Sequence, residues 1–136
     1  LGEIKVCPMI CYDVRFPELW RPAALCGVDV FTVSSSWPLS RISHWRAMLA
    51  SRAIENQAFV VASNRVGKDK IATWGGSSII ASPHGEILGA GNETETQIIS
   101  SGIDPKIARS WRDEFPVLLD VQEDLIGKIT VREVMA

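Results

Sequence analysis

The stretch Val-Asp-Val-Phe-Thr-Val-Ser-Ser-Ser-Trp-Pro, residues 28–38, limits the fold more than any other. A continuous apolar, β-branched run of this length is the pattern of a strand buried on both faces, and it stops at a small polar cluster and Pro38. A strand of that kind needs neighbours. Upstream, Ile-Lys-Val-Cys-Pro-Met-Ile-Cys reads as a strand in which Pro8 cannot donate to a ladder and so implies an edge, a bulge or an irregular start. Between the two, Phe16 to Leu25 reads as a helix opened by Pro17 and closed near Gly27. Downstream, Ser43 begins a longer helix to about Gln57, with Trp45, Met48, Leu49 and Ala53 on one side. Ala-Phe-Val-Val-Ala-Ser-Asn-Arg-Val-Gly follows as another apolar strand, and Lys68 to Gly76 as a polar, glycine-closed excursion. Ser77 to Gly91 is a hairpin candidate, its arms joined at Ser82-Pro83-His84-Gly85. Thr96 to Asp104 supplies a last strand, and Asp104 caps a helix with Pro105 at its first position, running through Trp111 toward Phe115. Spacings of crossover length early and hairpins late argue for an α+β fold, with helices packed on a sheet face.

Composition narrows the partners. A chain of 136 residues with a net charge of −2 and 22% charged residues has no basic field to attract nucleic acid. No stretch approaches the roughly 20 apolar residues of a membrane span, and the opening Leu-Gly-Glu-Ile-Lys lacks the plan of a signal peptide, so a cytoplasmic location is the default. A chain that starts with leucine and enters a strand almost at once reads as a piece of something longer. Cys7, Cys11 and Cys26 are an odd number of cysteines, which suits reduced thiols better than a disulfide framework.

Cys11 ends a strand directly before a turn into a helix. Backbone N–H groups and the positive end of a helix dipole meet a thiol placed there and favour its nucleophilic form. The same turn would leave the Tyr12 N–H free to point at a developing oxyanion. A buried cysteine is also an ordinary packing residue, and both readings stand at this point. A dyad with His44 or His84 is open, because such partners need only meet in space. Cys7 and Cys11 with these histidines are a poor match to zinc-site spacing, and no metal is expected.

Four stretches in order decide between the readings. Ile-Cys-Tyr-Asp-Val-Arg-Phe-Pro-Glu closely resembles the cysteine motif of the nitrilase superfamily, the carbon–nitrogen hydrolases. Ser-Ser-Ser-Trp-Pro, the run from His44 to Gly67, and the run from Trp74 to Leu88 are similar to further segments of that family. The resemblance implies that Cys11 is a catalytic nucleophile and that the fold is a four-layer αββα sandwich. Residues 1–136 would be the C-terminal portion of one such domain, its N-terminal part missing.

Tyr12-Asp13 after the cysteine looks like the amidase branches, ω-amidase above all. The function implied is hydrolysis of a non-peptide C–N bond in a small carboxylic amide through a cysteine thioester, with no cofactor. An N-carbamoyl amine hydrolase is an alternative; so is a catalytically incomplete fragment or non-catalytic subunit, because the family's glutamate base and lysine come from upstream segments. Lys5, Lys68, Lys70, Lys106 and Lys128 do not stand in that lysine's context. Tyr12 is implied as backbone oxyanion donor and Trp37 as a substrate-binding wall. Asp13, Arg15 and Glu18 are expected to hold the elbow as a hydrogen-bonded ion-pair cluster, and Arg52, Glu55 and Asn56 to be structural. The resemblance further implies a homodimer or larger homo-oligomer, with Trp45 and Leu49 divided between core and partner. Without upstream strands, one face of the Val28–Trp37 or Ala58–Val66 strands would lose its cover.

Overall fold

The computed structural model describes residues 3–126 and 130–132. Strands β1 (Val6–Ile10), β2 (Val30–Ser35), β3 (Phe59–Asn64), β6 (Ile79–Ala81) and β7 (Ile87–Ala90) form a five-stranded sheet in the order β1-β2-β3-β6-β7. β1, β2 and β3 run parallel, whereas β6 and β7 return antiparallel through the expected hairpin. Helix α1 (Pro17–Leu25) connects β1 to β2, and α2 (Ile42–Asn56) connects β2 to β3. β4 (Val66–Lys68) and β5 (Thr73–Gly75) make a separate small hairpin.

Side-chain alternation gives the sheet two different faces. On one, Met9, Phe31, Val33, Val60, Ala62, Ile79 and Ala81 join α1 and α2 in a single core around Trp20, Trp45 and Leu49, all three fully buried. Trp20 packs on Phe31 with ring centroids 4.7 Å apart. Among the described residues the opposite face is closed only at its ends. Helix α3 (Pro105–Glu114) sets Ala108 on Val30 and Phe59, and Ile99 lies over Gly89, where a Cβ would fall 2.8 Å from its Cγ2 atom. Between those ends Ile10, Ser34 and Ser63 are exposed, and Thr32 and Val61 are half-buried.

Polar ties dock α3 across the starts of the strands. Asp29 is wholly buried, and both its oxygens accept from Arg109, Oδ1 from Nε at 3.0 Å and Oδ2 from Nη2 at 2.8 Å. The Lys5 N–H donates to Oδ2 as well. Burial alone would raise the Asp29 pKa, but the Arg109 and Lys5 hydrogen bonds and the nearby positive charges hold it below the usual carboxylate range.

Several boundaries differ from the sequence reading. The segment 96–104 is not a strand: Ile98 is fully exposed, and its neighbour Ile99 packs on glycine-bearing β7 instead of adding a ladder. The polar excursion after β3 contains the β4–β5 hairpin, whose turn is organised by Asp69. Its carboxylate accepts from the Ile71 and Ala72 N–H groups and from the Trp74 indole, bonds that pull its pKa down to about 2. Residues 11–15, expected as a tight turn, form a 3-10 helix that delays α1 to Pro17. After Pro116 the chain makes a 3-10 turn at Val117–Asp120 and a short helix α4 (Glu123–Ile126). Trp45 and Leu49 are entirely core residues in this chain. Among the described residues no helix is long and apolar enough to cross a membrane.

Candidate active site

Cys11 sits where β1 ends and the 3-10 helix Cys11–Arg15 begins, with φ at +42°. Left-handed backbone at a residue with a Cβ costs about 1–3 kcal/mol and persists only where the surroundings over-determine it. Those surroundings are side chains from several elements. The Trp37 indole, from the loop after β2, donates to the Cys11 carbonyl at 3.2 Å. The Trp20 indole, from α1, donates to the Asp13 carbonyl at 2.9 Å, and Arg52 Nε, from α2, donates to the Val14 carbonyl at 3.0 Å. Asp13 closes the turn from within, its carboxylate accepting the Ile10 N–H at 2.9 Å. The elbow is tied to both helices and to the β2 loop.

Tyr12 is the second residue of this helix. Because a 3-10 helix bonds i to i+3, the N–H at that position has no partner within the turn and is available to a ligand. The Tyr12 ring is exposed and makes an edge contact with Phe16.

A cleft of about 250 Å³ opens beside the thiol, lined by Cys11, Tyr12, Arg15, Ser36, Trp37, Pro38 and Arg41. Among the described residues its lining includes two arginines and no acidic residue. Trp37 is 3% exposed and backs the cleft, with its ring 5.6 Å from that of Trp45. Arg15 lies over the Trp37 ring at 4.4 Å and near the Tyr12 ring at 5.8 Å, a cation–π arrangement.

The expected ion-pair cluster of Asp13, Arg15 and Glu18 does not form. Asp13 spends its carboxylate on the backbone, Arg15 stacks on aromatic rings, and Glu18 stands exposed in the first turn of α1, where it complements the helix dipole. Arg52, Glu55 and Asn56 are indeed spent on structure: Arg52 pairs with Glu55 at 2.7 Å while holding Val14, and Asn56 Nδ2 donates to the Arg52 carbonyl.

Neither imidazole reaches the cleft. His84 stacks on Trp111 with ring centroids 4.6 Å apart, and His44 is exposed on α2. No lysine lines the cleft either; Lys5 Nζ donates to the Cys26 carbonyl at 2.8 Å, and Lys128 lies outside the described residues. Cys7, Cys11 and Cys26 are free thiols, and burial pushes the Cys7 thiol up. Among the described residues no cluster of His, Cys, Asp and Glu could hold a metal ion.

Asn64 was not singled out in the sequence, yet it is the most connected polar residue near the cleft. Its Oδ1 accepts from the Trp37 N–H at 2.6 Å, and its Nδ2 donates to the Trp37 and Gly76 carbonyls at 3.3 and 2.7 Å. A polar residue closing an apolar strand was the available signal, since a buried amide must find partners.

The chain is similar to several known proteins. The family described as Carbon-nitrogen hydrolase matches residues 1–113. The 2-oxoglutaramate amidase of Bacillus subtilis is 39% identical over 125 residues, 92% of this chain and 48% of that protein. The omega-amidase YafV of Escherichia coli K12 is 36% identical over 120 residues, 88% of this chain and 46% of that protein. The chain thus spans about half the length of these relatives. In three dimensions it resembles Saccharomyces cerevisiae Nit3, a member of branch 10 of the nitrilase superfamily, with a TM-score of 0.76 and 31% identity, over 87% of this chain and 43% of that one.

Proposed function

The chain belongs to the carbon–nitrogen hydrolase family, and from that premise we propose that it carries the nucleophile of an amidase acting on small carboxylic amides of the ω-amide kind. The observation that carries the reading is the thiol itself, presented by a left-handed elbow into a cleft beside an uncommitted backbone N–H. Cys11 Sγ attacks the amide carbonyl carbon, and the oxyanion that forms is met by the Tyr12 N–H. Collapse breaks the C–N bond and ammonia leaves with the proton taken from the thiol, giving a thioester. Water then attacks the thioester carbonyl, which releases the acid and restores the thiol. We place the glutamate that moves these protons, and the lysine that assists the oxyanion, outside these 136 residues. The name of the Bacillus subtilis relative supplies the first substrate to try, 2-oxoglutaramate. The working form in this proposal is a cytoplasmic homodimer or larger homo-oligomer.

The test is Cys11→Ala in the complete enzyme, followed by ammonia release from 2-oxoglutaramate. Turnover should vanish while the circular dichroism and melting curve stay unchanged. Full activity in the variant would end the proposal, and preferential turnover of an N-carbamoyl amine by the unaltered enzyme would change its substrate class. Limiting iodoacetamide should label Cys11 ahead of Cys7, whose thiol is raised by burial.

A further inference from the structure

We propose that Asn64 is a positioning residue for the nucleophile, acting through Trp37. This rests on the reading of Cys11 as the attacking thiol. Asn64 is 8% exposed and closes β3, two strands away from Cys11 in the sheet, and it does not line the cleft. Its carboxamide grips the Trp37 peptide from both sides, accepting from the Trp37 N–H at 2.6 Å and donating to the Trp37 carbonyl at 3.3 Å. Its other anchor is the Gly76 carbonyl at 2.7 Å. That anchor is fixed in turn, because Gly76 has φ of +49° and a Cβ there would fall 2.5 Å from the Asn92 carbonyl oxygen.

The Trp37 backbone is therefore set by a clamp on β3. The Trp37 side chain passes the constraint on: its indole N–H donates to the Cys11 carbonyl at 3.2 Å, at the residue whose backbone is left-handed. Rotating that peptide would turn the following Tyr12 N–H away from the reacting carbonyl, and relaxation of Cys11 from its left-handed backbone would move the thiol with it. Loss of the clamp should then lower the rate of attack while leaving substrate affinity nearly intact, since misplacement of a reacting group by about 1 Å costs on the order of a hundredfold.

Two variants of the complete enzyme test this. Trp37→Phe keeps a ring in the wall of the cleft but removes the N–H that reaches Cys11, and Asn64→Ala removes the clamp. Each should lower kcat about ten- to hundredfold with KM changed less than about threefold, and should slow iodoacetamide alkylation of Cys11 in parallel. The double variant should fall no further than the more impaired single one, because both act along one chain of contacts. If Asn64→Ala fails to fold, Asn64→Asp, which keeps the Oδ1 acceptor for the Trp37 N–H but loses the donor to the Trp37 and Gly76 carbonyls, takes its place in the same assays. A folded Trp37→Phe enzyme with unchanged kcat would overturn the proposal, as would losses that multiply in the double variant. Failure of the underlying reading shows separately, as an active Cys11→Ala enzyme.

Discussion

The two faces of the sheet are built from the same strands and treated in opposite ways. Phe31 and Val33 point into the core under α1 and α2, while Thr32 and Ser34, one residue along, point to a face that, among the described residues, α3 with Ile4 and Ile103 closes at one end and Ile99 at the other. Alternation at period two makes this possible, since each strand can serve a dry layer and a second layer at once. In a four-layer sandwich the second face is the one on which another sheet packs. The difference teaches where this chain carries its own stability and where it depends on neighbours.

The largest test falls on the covered face. Trp45→Ala should remove about 3–5 kcal/mol, because a fully buried indole leaves a cavity that α2 and the sheet cannot collapse into, and it also leaves the Ser77 carbonyl without its donor. Urea titration followed by circular dichroism would measure it, and a loss below about 1 kcal/mol would show this face to be less packed than described.

A smaller effect is expected where α3 closes the open face. Asp29→Asn should cost about 1–2 kcal/mol at neutral pH by weakening charge-assisted hydrogen bonds. The Asp29 carboxyl is held below its unfolded value, so its contribution is present above the unfolded pKa and is lost as pH falls through the folded one. The gap between wild type and variant should therefore shrink in acid. A gap that widens at low pH would contradict the assignment.

The smallest effect belongs to the middle of the open face. Ile10→Ser should change the stability of the 136-residue chain by less than about 0.5 kcal/mol, since Ile10 is already 68% exposed. In the complete enzyme the same change should cost about 1–3 kcal/mol if a second layer buries this side chain. Equal costs in both would remove the contrast between the faces.

Much of this arrangement was legible in advance, and the reasons are local. Pro17 and Gly27 mark α1, Asp104-Pro105 marks α3, and the apolar runs of β2 and β3 announce burial. The elbow was legible as a position, a cysteine ending a strand before a helix, but not as a 3-10 turn, because five residues are too few to show a period. The β4–β5 hairpin was missed because strands of three residues with glycine and lysine carry no hydrophobic pattern. The segment 96–104 was misread because Ile98 and Ile99 look like a strand core, whereas of the two only Ile99 is used, against Gly89 of β7 and Gly91 just after it. Arg15 was assigned to carboxylates by charge, and its aromatic partners come from a loop more than twenty residues away as well as from its own turn.

Pro8 has a further effect on how this chain meets other chains. Lys5 accepts from the Val30 N–H, so by alternation Cys7 and Met9 bond toward β2, and the amides of Val6, Pro8 and Ile10 face the free edge. Proline has no N–H to give there, and the Ile10 N–H is already held by Asp13. An invading strand seeking to extend the ladder would find only the Val6 donor of the three. Extension of the ladder from this margin thus lacks two of its three donors, and one of the two is withdrawn by the carboxylate that shapes the elbow.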